Sequence, residues 1–149
     1  MDRNDPKSRY YARTMHTPDD PARAELRSTL RELSRTLIPL HRSLIEAAKS
    51  DYGVAHAPVE SPNQLLQLLQ TDPFFDWLRP ITALIVDIDE MTRTDFDRAA
   101  VDSIAARTER LFGGSEGEFA GKYIPILQRD VDVAGGHGAV KRVLAKLQG

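Results

Sequence analysis

The chain has 149 residues, 41% of them hydrophobic and 28% charged, with a formal net charge of −2. This length suits a single compact domain with a sizeable core. The absence of cysteine excludes disulfides, thiolate metal sites and cysteine nucleophiles. The longest nearly uninterrupted apolar run, residues 81–86 with Thr82 inside it, is far shorter than the ~20 residues that span a bilayer. The first thirty residues lack the apolar stretch of a signal peptide. We therefore expect a cytoplasmic protein that does not cross a membrane.

The charge is distributed unevenly along the chain. Residues 1–50 carry a net charge of +3, residues 51–100 carry −6 and residues 101–149 carry +1. Such complementary segments favour pairing within the fold, so nucleic acid is not expected as the main partner. Residues 1–19 are polar and lack helical periodicity, which predicts an N-terminal arm that is flexible or packed on a neighbour.

The first predicted helix begins where Asp20 caps it and Pro21 occupies the first helical position, and it ends at Gly53. Leucines at alternating spacings of four and three form a heptad seam along it: Leu26, Leu30, Leu33, Leu37, Leu40 and Leu44. Pro39 lies inside this helix. Because the leucine register continues through the proline, we predict one kinked helix rather than two.

A short helix is predicted over residues 64–70, followed by a long helix over 72–91 with a second kink at Pro80. Most apolar side chains of the long helix fall on one broad face, but Phe75 and Val86 fall on the other side. A helix that is apolar on nearly all sides is either central in its domain or shared with a partner. We therefore predict a homodimer whose interface uses Phe75, Leu78 and Val86.

Capping patterns at Thr94 and Ser115 open two further helices, and a final helix covers about residues 131–148. No segment alternates in polarity as a strand does. The predicted fold is all-α, with residues 20–149 forming a single antiparallel helical bundle of four main helices plus a short helix. Glycines at 135, 136 and 138 either relieve a crowded turn or offer N–H groups to an anion, and the frequency of glycine in turns favours the structural role.

No metal, cofactor or catalytic motif is complete. The Glu-x-x-His pairs of di-iron bundles, the calcium loop, the phosphate loop and the G-x-S-x-G elbow are all absent. His41 has apolar neighbours on its helical face, so it needs a polar partner from another helix, and Asp87 and Glu90 are the best candidates. This histidine is either a structural residue or part of a ligand-binding pair.

Arg27, Arg31 and Arg35 follow one another at a spacing of four, which places like charges on one helix face. Either acidic residues of the same fold or an anionic partner must compensate them. Together these observations predict a non-enzymatic interaction or regulatory module that forms a homo-oligomer or binds another protein. The alternative is a small-molecule-binding or catalytic bundle with a His–carboxylate pair in an internal pocket.

Overall fold

The computed structural model describes residues 19–148, so the predicted arm lies, except for Asp19, outside the described residues. Within residues 19–148 the chain has six α-helices, one 3-10 helix and no strand, which confirms the all-α prediction. The helices are α1 (Pro21–Ala55), α2 (Pro62–Thr71), a 3-10 helix (Pro73–Leu78), α3 (Arg79–Thr92), α4 (Arg98–Gly113), α5 (Glu118–Arg129) and α6 (Val131–Gln148).

The long helix α1 begins as predicted. Asp20 accepts a hydrogen bond from the backbone N–H of Arg23 at 2.8 Å, and Pro21 occupies the first turn. The helix continues through Pro39 as one element and ends at Ala55, slightly beyond the predicted end. Burial of the leucines on both sides of Pro39 offsets the backbone hydrogen bond that this proline cannot make. The kink at Pro39 stays a prediction.

The region around Pro80 differs from the predicted single helix over residues 72–91. A 3-10 helix ends at Leu78, and α3 then begins at Arg79 with Pro80 in its first turn. Proline costs no hydrogen bond there, because the first N–H groups of a helix have no intrahelical acceptor. The tighter helix also changes which side chains face inward, since it has three residues per turn instead of 3.6.

One hydrophobic core receives fully buried side chains from the 3-10 helix and from every α-helix except α2. Five leucines of the predicted seam are buried in it and the sixth, Leu26, is partly buried at its edge. The seam prediction is therefore confirmed. Helix α2 contributes only partly buried leucines, so it lies on the surface as a side wall rather than as a central helix.

Helix α1 packs against both α3 and α6. Towards α3, Arg27 bonds to the carbonyl of Thr92, while His41 bonds to Thr82. Because residue numbers rise along α1 as they fall along α3, the two helices are antiparallel. The arrangement of four helices as one antiparallel bundle stays a prediction.

The glycines at 135, 136 and 138 lie inside α6, which begins at Val131. Their N–H groups are therefore in the hydrogen-bonded part of the helix and do not form an open anion site. Gly136 instead permits a close approach of α6 to α1, because a Cβ atom there would lie 3.1 Å from Leu40 Cδ1 and 3.2 Å from Leu40 Cβ. A Cβ atom at Gly135 would meet nothing within 4 Å.

This difference gives a matched pair of variants. Gly135→Ala is expected to raise the free energy of unfolding by about 1 kcal/mol, the usual helix advantage of alanine over glycine. In Gly136→Ala the same advantage is opposed by the contact with Leu40, so that variant should be less stable than Gly135→Ala by about 1 kcal/mol or more. Urea unfolding measures both, and equal stabilisation would contradict the close helix contact.

Candidate interaction surface

His41 lies at the edge of a groove between α1, α2, the 3-10 helix and α3. The groove has a volume of about 460 Å³ and is mostly apolar; its lining includes His41, Ile45, Leu69, Phe75, Leu78 and Thr82. We refer to it as the apolar groove. Through Leu69, the surface helix α2 forms one wall of the apolar groove.

The polar partner of His41 is Thr82 and not a carboxylate. His41 Nε2 and Thr82 Oγ1 share a hydrogen bond of 3.2 Å. Burial lowers the pKa of His41, so its ring is neutral at pH 7. The hydroxyl of Thr82 therefore provides the hydrogen-bond partner that the neutral imidazole of His41 needs at the edge of the core, and no charged group is required.

The structure does not bring His41 together with Asp87 or Glu90. Asp87 comes five residues after Thr82, which is about 140° further around α3 at 3.6 residues per turn. Its carboxylate accepts a hydrogen bond from Arg107 of α4. Asp87 and Glu90 line a different groove of about 470 Å³ that also contains Asp95 and Asp97. Within residues 19–148, no group of three or more His, Asp or Glu side chains is arranged to hold a metal ion.

The three residues of the predicted dimer interface lie in different surroundings. Phe75 is 1% exposed and Leu78 is 3% exposed, and both belong to the core of the chain itself. Phe75 faces inward because the 3-10 helix changes the turn angle that places side chains around the axis, whereas Leu78 lies next to the apolar face of α3 in either kind of helix. Val86 is 48% exposed and stays available to a partner.

Arg27 is a structural residue that is only 6% exposed. Its guanidinium donates two hydrogen bonds to the carboxylate of Asp19, at 2.7 and 3.1 Å, and one each to the carbonyls of Thr92 and Thr94. It also lies 4.8 Å from the ring centroid of Phe96. Arg27 therefore ties α1 to the end of α3 and does not present its charge to an anionic partner.

Arg31 and Arg35 are exposed, and their contact with an anionic partner stays a prediction. They line a second groove, of about 320 Å³, together with Asp89, Thr92 and Arg93. Arg93 is paired with Asp89 at 3.0 Å. Among the residues that the structure describes, no ion pair involves Arg31 or Arg35. We refer to this second groove as the basic groove.

Two exposed apolar side chains lie between the two grooves along α1 and α3. Ile38 precedes His41 by one turn of α1, and Val86 follows Thr82 by one turn of α3. Since α1 and α3 are antiparallel, both lie between the apolar groove and the basic groove. Ile38 is 44% exposed. The resulting surface, here called the α1/α3 face, runs from the apolar groove across Ile38 and Val86 to the basic groove.

Sequence reasoning missed the apolar groove, Ile38 and a second partly buried histidine, His137. Tyr123 Oη lies 2.7 Å from Nδ1 of His137. Burial raises the pKa of Tyr123, so the phenol keeps its proton and shares a hydrogen bond with the His137 ring. Burial and nearby Lys141 lower the pKa of His137. Helical spacing could have found Ile38, which shares the exposed face of α1 with Arg31 and Arg35.

Comparisons of the chain with protein-family models, with curated proteins and with solved structures find no match. Within the part of the chain that the structure describes, no helix combines the length and apolar character needed to cross a membrane.

The two partly buried histidines predict how stability changes with pH. Both have a folded-state pKa below the ordinary value of 6.5, so the unfolded chain takes up protons first as the pH falls. Their contribution to stability is therefore complete above pH 6.5 and decreases as the pH falls below it. The midpoint temperature of thermal unfolding should therefore decrease as the pH is lowered from about 7 to about 5.

His41→Gln and His137→Gln should each show a smaller loss of thermal stability over this pH range than the unchanged protein. Glutamine at 137 still offers an acceptor to Tyr123. His56→Gln is the matched control, because it makes the same substitution at an exposed histidine. Identical pH dependence in all four proteins would contradict the assignment of His41 and His137.

Proposed function

We propose that this protein is a non-enzymatic interaction module and that the α1/α3 face binds a helical segment of a partner. The observations that carry the proposal are the apolar groove and the exposure of Ile38 and Val86, which helical spacing places one turn from the groove residues His41 and Thr82. Apolar grooves between packed helices accept amphipathic helices, which insert side chains spaced by three or four residues. A contiguous exposed apolar surface with a charged rim is typical of a protein-binding site.

The homodimer expected from the sequence is a second form of this proposal. Val86 supports it, whereas Phe75 and Leu78 lie in the core and offer no surface to a second copy. The cytoplasmic location expected from the sequence also belongs to the proposal and is supported by the absence of cysteine.

The alternative of a catalytic or small-molecule-binding bundle has less support. It required a His–carboxylate pair in one pocket, whereas His41 pairs with Thr82 and Asp87 pairs with Arg107. A histidine without an acidic or nucleophilic partner is only one part of an acid–base mechanism. The apolar groove beside His41 belongs to both hypotheses, because the interaction module also uses it as a binding surface.

The test is a selection of displayed random peptides on the full chain, followed by affinity measurements on the selected peptides by fluorescence anisotropy. Val86→Glu and Ile38→Glu should each weaken binding about tenfold or more, because each buries a charge against an apolar peptide side chain. Val131→Glu is the matched control, since Val131 is 85% exposed at the start of α6 and lies outside the face.

Unchanged affinity in both Ile38→Glu and Val86→Glu would remove the α1/α3 face from the binding site. Light scattering of the purified chain tests the homodimer separately. A dimer that dissociates in Val86→Glu, but not in Val131→Glu, would assign the face to a second copy. Circular dichroism of each variant verifies that the helices are retained.

A further inference from the structure

We infer that the occupant of the α1/α3 face is an acidic amphipathic helix of a different protein. This inference rests on the proposed function, because it names the chemistry of the partner for the same surface. The apolar part of the face requires apolar side chains on the side of the partner helix that it buries. The basic groove requires negatively charged side chains at the edge of that helix.

Three arginines lie on the exposed side of α1. Arg31, Arg35 and Arg42 are all exposed, and they share one helix face with Ile38 between them. Within residues 19–148, none of the three takes part in an ion pair. Like charges at this spacing repel one another unless an opposite charge approaches them. Carboxylates on the partner would supply that charge.

The acidic residues nearest to this row are paired with other cations, and Glu46, one turn after Arg42, pairs with Lys49 at 4.0 Å. Asp89 is the carboxylate that lines the basic groove, and it is already paired with Arg93. Glu32 of α1 contacts Lys146 of α6. The separate groove lined by Asp87, Glu90, Asp95 and Asp97 is here called the acidic groove, and Arg107 binds the carboxylate of Asp87.

The dimensions of the face set the length of the partner. Ile45 lines the apolar groove and Arg31 lines the basic groove. They are 14 residues apart on α1, about 21 Å at 1.5 Å per residue. A partner helix of about 14 residues would cover this distance with four turns. Its apolar residues at i, i+3 or i+4, and i+7 would meet the groove, Ile38 and Val86.

The same charges disfavour two other occupants. A second copy bound through the same face would bring two rows of unpaired arginines into one interface, where juxtaposed like charges oppose association. A nucleic acid would match the arginines but would leave the apolar groove, Ile38 and Val86 without a complementary surface, because phosphate contacts use donors and cations. An acidic amphipathic helix would complement both the apolar surface and the row of arginines.

The experiment uses the peptides selected on the full chain and a charge-neutral triple variant, Arg31→Gln/Arg35→Gln/Arg42→Gln. Peptides selected on the unchanged chain should be net acidic, with apolar residues at helical spacing. The triple variant should bind them about tenfold more weakly, the sum expected for three exposed ion pairs. The matched control neutralises Arg110 and Arg142, which are exposed elsewhere, and should keep the affinity within about twofold.

The outcomes separate this inference from the proposed function. Peptides that depend on Ile38 and Val86, but carry no acidic excess and bind the triple variant unchanged, would overturn the acidic partner and leave the interaction module standing. Peptides whose affinity depends on neither Ile38 nor Val86 would overturn both the acidic partner and the proposed binding at the α1/α3 face. Binding of a labelled single-stranded oligonucleotide that is lost in the triple variant and retained in Val86→Glu would also overturn the inference. So would a dimer that dissociates in Val86→Glu.

Discussion

Replacing Leu37 by alanine is expected to lower the free energy of unfolding by about 3 kcal/mol. Leu37 is fully buried at the middle of the leucine seam, and it lies two residues before the helical proline. The substitution leaves a cavity on the helix that contacts both α3 and α6. Urea unfolding followed by circular dichroism gives the difference from the unchanged chain.

Ile38→Ala is the matched control for this variant, because it removes an aliphatic side chain at the next position of the same helix. Ile38 is exposed, so its loss should change stability by less than about 0.5 kcal/mol. If Leu37→Ala destabilised the chain no more than Ile38→Ala does, the seam would not be the centre of the core.

Replacing Arg27 by methionine is expected to cost about 3 kcal/mol of stability. Methionine retains the apolar volume of the side chain but removes every hydrogen bond from the guanidinium. The carboxylate of Asp19, whose side chain is 9% exposed, loses its ion pair with Arg27, and the carbonyls of Thr92 and Thr94 lose a donor. Hydrogen bonding with Asp19 raises the pKa of Arg27, so the guanidinium stays charged in the native chain.

Arg31→Met tests whether the effect belongs to the buried position. Arg31 lies one turn further along α1 and is exposed, so its replacement should change stability by less than about 0.5 kcal/mol. Arg27→Lys should fall between the two methionine variants, because a lysine keeps the charge but cannot form the same set of planar hydrogen bonds. Equal stability of Arg27→Met and Arg31→Met would contradict the role of Arg27 as a tie between helices.

The fold was predictable where local signals and periodicity agreed. The Asp20 cap, the position of Pro21 and the spacing of the leucines each act within α1, and the structure shows all three. The region after Asp72 was less predictable, since proline is compatible both with a kink and with a helix start. A 3-10 helix also shifts the angular position of each side chain by 20° per residue relative to an α-helix, which is why Phe75 was placed on the wrong side.

The site was only partly predictable. The sequence indicates the helix face on which a residue lies, but it does not indicate which residue of another helix that residue contacts. Val86, Arg31 and Arg35 are exposed as their helical positions indicated. The partner of His41 depended on the register between α1 and α3, which places Thr82 opposite it. Arg27 has the same spacing as Arg31 and Arg35, yet contacts with Asp19 and the end of α3 bury it.

The most direct test of the interaction surface is an amide chemical-shift titration of the full chain with a selected acidic peptide. We expect the largest shifts at Arg35, Ile38, His41, Thr82 and Val86, with little change at residues 94–97 in the acidic groove. Shifts concentrated in the acidic groove, or spread over α4 and α5 while Ile38 and Val86 stay unchanged, would contradict binding at the α1/α3 face.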